Sequence, residues 1–341
     1  MPISDRGPSP LRPPTTPFRL DSQMSPIDKD LHPVFHRGRV AVVTGAASGI
    51  GRAAARELAK LGLKLAIADV DAAALEAAAK EVAAIVGEAN VIAVPTDVSK
   101  IEEVQRLHNR VYEVWGEVAV LMNNAGIGLK GTSWEGLDNW RKVLDVNLFG
   151  CRPFRTLCRL VRALRSPRLT VFNRIVNVQH TFVPSMLPQE NPSVIINTGS
   201  KQGITNPPGN AAYNASKAAV KSLTEGLSYE LRERPVGNVT AHLFIPGWTW
   251  TGMTGASGLA AQKPAGAWTA EETVLYMLDR VRNGDFYIVV PDNETRREVD
   301  QLRILWAAGD VAEGRPALSR WHPNYKSLYE EYMKEGLAQI D

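Results

Sequence analysis

Only two cysteines occur in the 341 residues, Cys151 and Cys158. Seven positions apart, they build neither a disulfide framework nor a four-ligand metal site, so no metal is expected and a reducing, cytoplasmic setting is the default. No run of about 18 apolar residues is present, which argues against a membrane span. The opening stretch MPISDRGPSPLRPPTTPFRLDSQ lacks the apolar centre of a secretory signal, and its Asp5 and Asp21 argue against a transit peptide. Proline-rich and polar, residues 1–37 are expected to form a disordered extension. Acid is missing in one further place: residues 151–174 hold seven arginines (152, 155, 159, 162, 165, 168 and 174), no lysine, and no Asp or Glu. Without that block the formal net charge changes from +3 to −4. The basic balance is therefore local, and no nucleic-acid partner is expected from it.

What is present is an alternating pattern. RVAVVTG, LKLAIAD, NVIAVPTD, VAVLMNNAG, SVIINTGS, NVTAHLFIPG and FYIVV are short apolar runs, and segments with helical spacing lie between most of them. Near-continuous apolar strands alternating with helices imply a parallel sheet of about seven strands, covered on both faces. The expected fold class is thus α/β, with one doubly wound domain over residues 38–291. ETRREVDQLRILWAAGD and NYKSLYEEYMKEG make residues 292–341 a helical tail.

The first strand ends in TGAASGIG, residues 44–51. Glycines there let a backbone approach a pyrophosphate, and the helix that follows offers unpaired N–H groups and the positive end of its dipole. A strand-to-helix turn also needs glycine for steric reasons, so the turn alone decides little. Asp69 adds to it. It ends the second strand, where a carboxylate accepts hydrogen bonds from ribose hydroxyls and repels a 2′-phosphate. Ala46, Ala47 and Val70 supply no cation for that phosphate. NAD is expected in preference to NADP.

TGAASGIG, NNAG (123–126), Asn147 within DVN, Ser200 within NTGS, YNASK (213–217) and PGWTWT (246–251) occur in an order and at spacings that resemble the short-chain dehydrogenase/reductase family, from about Gly38 to Val290. The resemblance implies a Rossmann-like fold and hydride transfer between NAD(H) and a secondary alcohol or ketone. It implies Tyr213 as proton donor and acceptor, Lys217 beside it, Ser200 polarising the substrate oxygen, and Asn147 holding a relay water. A free tyrosine titrates near 10, and a nearby cation lowers that value. Lys217, four residues on, shares a helix face with Tyr213. For the cofactor the resemblance implies Gly45, Ser48, Gly49, Ile50, Gly51 and Asp69 at the first turn, and Asp97 and Val98 on the adenine side. It also implies Asn123, Ala125 and Gly126 at the fourth strand, Tyr213 and Lys217 at the ribose, and Pro246, Gly247, Thr249 and Thr251 at the carboxamide. Thr249 stands where the family commonly has valine. Each residue has a bland reading too: a cap for Ser200 or Asp97, a brace of the sheet for Asn123, a solvated helix face for the Tyr–Lys pair. Trp248, Trp250 and Trp268 suggest an apolar pocket for a bulky ketone or alcohol, or equally the packing of their own loop. RPALSRWHPNY would cover that pocket or a subunit neighbour.

Asn147 and Ser200 are 53 positions apart, whereas the family usually separates them by just under thirty. Removing residues 151–174 leaves 29. In one account the block is a basic amphipathic helix for an anionic surface. In the other, which the spacing favours, it is a translated intron of 72 nucleotides, in frame, with Leu169-Thr170 and Asn173-Arg174 codable as branch-point-like and acceptor-like strings. The helix expected to begin at Asn147 commonly packs in a homodimer or homotetramer in the family, and the block would disturb it. Two other functions stay open: a nucleotide-binding scaffold without turnover, and an NADPH-dependent carbonyl reductase.

Overall fold

A computed structural model describes residues 33–129, 132–147, 149–150, 172–235, 237–255 and 262–340. In VAVVT every side chain is buried, which a strand achieves when helices cover both faces. That strand, β1 (Val40–Thr44), leads into α1 (Gly49–Lys60), then β2 (Lys64–Asp69), α2 (Ala72–Val86), β3 (Val91–Pro95), α3 (Ile101–Trp115) and β4 (Val120–Asn123). Next come α4 (Leu137–Asn147), β5 (Phe149–Gly150), β6 (Phe172–Asn173), α5 (Arg174–Met186) and β7 (Ser193–Thr198). The chain continues through α6 (Gln202–Thr205), α7 (Ala211–Arg232), β8 (Val239–Ile245), β9 (Thr249–Trp250), β10 (Trp268–Thr269), α8 (Ala270–Arg282) and β11 (Tyr287–Val289). It closes with α9 (Arg297–Ala312) and α10 (Lys326–Ile340).

Seven strands form one parallel sheet in the order β11-β8-β7-β4-β1-β2-β3. The chain reverses its direction of travel between β1 and β4, and the carboxyl ends of that pair open the crevice where such sheets bind ligands. Period-two alternation sorts the core onto two faces. Val43, Ile67 and Met122 pack with Leu58 of α1 and Met277 of α8, while Val42, Ala68 and Leu121 pack with Leu107 of α3 and Phe182 of α5.

The domain begins earlier than position 38. Val34 and Phe35 are buried in the first core layer, and the Arg39 guanidinium donates to Pro33 O at 2.5 Å, to Pro192 O at 2.7 Å and to Glu117 at 2.9 Å. Burying an aliphatic or aromatic side chain contributes ~1.5–3 kcal/mol, which is why a segment flanked by polar residues still joins the core. Residues 1–32 lie outside the described residues.

Asn147 does not open a helix, as its position in the motif order implied, but is the last residue of α4. The helix resumes at Arg174, and between them Phe149 pairs with Asn173 and Gly150 with Phe172 in an antiparallel ladder. The two ends of the arginine-rich block are therefore adjacent. Residues 151–171, with both cysteines and six of its seven arginines, lie outside the described residues, as does most of the amphipathic helix proposed for them.

The tail is two helices folded on each other. Trp306 of α9 stacks edge-on with Tyr329 of α10 at 5.3 Å, lies under the Arg315 guanidinium at 4.1 Å, and donates its indole N–H to Ser319 Oγ at 2.8 Å. Arg315 and Trp321, in the segment expected to cover a pocket, are used in this way or stacked under Arg320 at 4.7 Å. No helix among the described residues is long and apolar enough to cross a membrane.

Candidate active site

The crevice is built around the end of β1. Thr44 Oγ1 donates to Met122 O at 3.3 Å and accepts the N–H groups of Asn124 at 3.1 Å and Ala125 at 3.3 Å, joining β1 to the end of β4. Gly45 follows with φ +67°, and a Cβ there would lie 2.6 Å from Ala125 Cα. Only glycine admits both the left-handed backbone and that approach. A Cβ on Gly51 would meet Gly45 O at 2.0 Å, so the turn closes tightly onto the first turn of α1. Ser48 is its N-cap residue, exposed and with no side-chain cap bond, while Gly49 and Ile50 are half-buried beside it. Thr251 approaches from across the crevice, its Cγ2 3.2 Å from where a Gly49 Cβ would stand.

Asp69 sits at the carboxyl end of β2, half-buried, accepting Ala47 N–H at 3.0 Å and Asp71 N–H at 3.2 Å. A carboxylate offers about four acceptor sites, so capacity for two hydroxyl donors is left over. Arg52, in the first turn of α1, is paired with Glu81.

Other expected cofactor residues are more committed to the fold. Asp97 accepts Ser99 Oγ at 2.7 Å and Ser99 N at 3.0 Å, an Asx-type turn ahead of α3. Val98 is buried in the second core layer. The Asn123 amide turns into the sheet and donates to Asn197 Oδ1 at 2.8 Å, so the crevice sees only its backbone. Ala125 and Gly126 continue that strand end, both half-buried. Thr249 is buried with Oγ1 3.0 Å from Thr273 Oγ1, directed at α8 rather than at the crevice. Pro246 and Gly247 follow β8, and the Trp248 N–H donates to Asp292 Oδ2 at 3.0 Å. Of the tryptophans, Trp268 packs against Tyr276 at 6.0 Å and donates to Asn293 Oδ1 at 2.9 Å, and Trp250 lies against Gly255, a Cβ there being 3.1 Å from its ring. Trp268 is thus held by α8 and the segment after β11, and Trp250 by the turn at Gly255.

Four side chains converge at the ends of β4 and β7. Tyr213 and Lys217 lie one turn apart on α7, with Lys217 Nζ 5.7 Å from the Tyr213 ring centroid. Ser200 follows β7, its Oγ accepting the Gln202 N–H at 3.2 Å, and its hydroxyl acts to lower the Tyr213 pKa. The close pass of α6 over α7 brings them together: a Cβ on Gly203 would lie 2.4 Å from the carbonyl carbon of Lys217. Lys217 is buried and donates to Thr198 O at 2.7 Å. Asn147 completes the group. Its Nδ2 donates to Ile127 O at 2.9 Å and to Ser216 Oγ at 3.1 Å, while its Oδ1 accepts Ile127 N–H at 2.9 Å.

Burial pushes the Tyr213 hydroxyl above its ordinary value of 10, and the Ser200 hydroxyl pulls the other way. This differs from the lowering that a Tyr–Lys pair alone suggests. The reason is dielectric: removing a phenolate from water outweighs the pull of one hydroxyl, and Lys217 directs its ammonium to the Thr198 carbonyl. Thr44 and Asn124, which build the turn, lie inside the quoted motifs but were not singled out; a hydroxyl directly before a glycine turn is the signal that would have found Thr44.

Comparison with known proteins agrees with this geometry. The family model described as short chain dehydrogenase matches residues 39–164 and 170–261. Its match runs through most of the arginine-rich block and breaks over 165–169. The chain is similar to 1-deoxy-11-beta-hydroxypentalenate dehydrogenase of Streptomyces exfoliatus, 31% identical over 289 residues that make up 83% of this chain and 94% of that one. Among solved structures it is similar to a short chain dehydrogenase/reductase from Burkholderia phymatum in complex with NAD, with a TM-score of 0.67, 30% identity, and 83% and 97% of the two chains covered. It is also similar to a short chain dehydrogenase from Burkholderia cenocepacia in complex with NADP, with a TM-score of 0.59, 25% identity, and coverage of 76% and 98%. The chain belongs to the short-chain dehydrogenase/reductase family of oxidoreductases.

Proposed function

We propose that the protein is an NAD-dependent alcohol dehydrogenase or carbonyl reductase acting on a secondary alcohol or ketone, with Tyr213 as its general acid and base. The observation that carries this reading is the meeting of Tyr213 and Lys217, one turn apart on α7, with Asn147 and the segment of Ser200 at the carboxyl ends of the central strands. The residues of the crevice fit a dinucleotide: Gly45 admits close backbone approach, Ser48 opens a helix N-terminus, and Asp69 keeps acceptor capacity beside them. When bound, the nicotinamide supplies the hydride acceptor or donor. Asp69 favours NAD, because a ribose 2′-phosphate would meet its carboxylate, while Arg52 of α1 is held by Glu81.

The chain's own residues then handle one proton. Raised by burial, Tyr213 holds its proton at neutral pH and is ready to donate it to a carbonyl oxygen. Ser200 polarises the same oxygen. Lys217, one turn away, stabilises the phenolate that remains. The Asn147 side chain is spent on Ile127 and Ser216, so a relay water falls to its main-chain carbonyl, one of the last four of α4 and beyond the helical ladder.

The test is a panel of ketones and secondary alcohols run with NAD(H) and NADP(H). Turnover with NAD(H) that Tyr213→Phe lowers by about 100-fold or more, with NADH binding retained, is the expected result. Binding of NADH with no turnover across the panel would instead make the protein a nucleotide-binding scaffold.

A further inference from the structure

Lys201, directly after Ser200, is the hub of a mostly buried ion cluster that no motif marks. Its Nζ lies 2.5 Å from Asp300 Oδ2 and 3.4 Å from Asp292 Oδ2, and both carboxylate side chains are only 6% exposed. Asp292 is itself held from three directions, accepting the N–H groups of Thr295 at 2.8 Å, Trp248 at 3.0 Å and Glu294 at 3.1 Å. Asp300 is the fourth residue of α9, where the helix dipole favours a negative charge. One ammonium thus ties the Ser200 segment to the loop after β11 and to α9, and Asp292 extends the tie to the loop after β8.

Stability alone does not call for this arrangement, since a buried ion cluster is often no better than apolar packing of the same volume. What it adds is direction. An apolar contact tolerates sliding, whereas an ammonium between two fixed carboxylates has one place to be, and Ser200 is one residue away. We propose that Asp300, acting through Lys201, is a positioning residue for Ser200, and that Asp292 carries the same constraint to the Trp248 amide. The tail beyond β11 is then part of the unit that sets where the Ser200 hydroxyl stands relative to Tyr213. This rests on the reading of Ser200 and Tyr213 given above, but its test uses neither cofactor nor substrate.

The full-length protein is labelled with carbon-13 at the tyrosine Cζ, and Tyr213→Phe identifies the Tyr213 resonance. Ser200→Ala calibrates the shift produced by losing the Ser200 hydroxyl. Asp300→Asn is expected to move the Tyr213 resonance in the same direction and by a comparable amount, with no further movement when Ser200→Ala is added. An unmoved resonance in Asp300→Asn, beside a moved one in Ser200→Ala, overturns the proposal. If Asp300→Asn does not fold, Asp300→Glu takes its place, because it keeps the charge and displaces it by one methylene; a moved resonance supports the proposal and an unmoved one overturns it. A protein that passes this test yet shows no turnover on any panel substrate would retain the positioning and lose only the functional reading.

Discussion

At the scale of single residues, two contacts are open to direct test. Gly203 leaves no room for a side chain, because a Cβ would stand 2.4 Å from the Lys217 carbonyl carbon and 2.6 Å from its oxygen, both backbone atoms. Gly203→Ala must lift α6 from α7, at a cost of about 1–3 kcal/mol. A lowered thermal midpoint together with lost turnover is expected; an alanine variant with unchanged melting would mean that the two helices have slack. Asp69 is the second. Replacing it with alanine removes the repulsion of a 2′-phosphate and two acceptors for ribose hydroxyls. The ratio of NADP(H) to NAD(H) use should therefore rise, and comparison of kcat/KM for the two cofactors reads it. An unchanged ratio would place cofactor choice elsewhere.

At the scale of elements, the meeting of β5 and β6 predicts what happens when residues 151–174 are removed. Gly150 and Phe172 are paired neighbours, so joining Gly150 to Ile175 asks little of the flanking chain, and α4 can run on into α5. We expect the shortened protein to form a homodimer or homotetramer and to turn over faster than the full chain. Sedimentation and the substrate panel measure both, and equal assembly and activity would show that the block is harmless. The same region marks where sequence reading ends. The seven sheet strands could be read because β-branched apolar runs bounded by glycine turns leave few alternatives, and Tyr213 and Lys217 could be read because one helical turn separates them. The break in the helix at Asn147 could not, since helical periodicity continues on both sides of the block. The Lys201–Asp292–Asp300 cluster was equally hidden: its members lie 91 and 99 positions apart, and each alone looks like an ordinary surface charge. Thr249 is the opposite case: it stands at a family contact position, while nothing in the sequence told that its hydroxyl bonds to α8.

At the scale of the whole molecule, stability carries a pH signature from His242. The ring is buried in β8, with Nδ1 2.9 Å from Asp285 O and Nε2 2.9 Å from Thr240 Oγ1. A carbonyl only accepts, so Nδ1 carries the proton and Nε2 accepts the Thr240 hydroxyl. Burial lowers its pKa below the ordinary 6.5. Above that value both the folded and the unfolded chain hold a neutral ring, and the full stability is present. As pH falls through about 6.5 toward the folded value, the unfolded chain takes up a proton that the folded one refuses, and stability drops by up to about 1.4 kcal/mol per pH unit. Urea midpoints measured from pH 8 to 5 should show this slope, and His242→Gln should flatten it; an equally steep variant would assign the slope to other groups.

The order of strands in the sheet has a last consequence, for chain entropy. Because β4 pairs directly with β7, everything between Asn123 and Ser193 is one closed loop of 69 residues, inside which the arginine-rich block accounts for 24. Closure cost grows only with the logarithm of loop length, so those 24 residues add about 0.4 kcal/mol to it. A parallel sheet that already tolerates long crossovers scarcely registers the extra length. Selection against the block therefore acts through the helix it divides and the surfaces that helix presents, while the sheet assembles in either case.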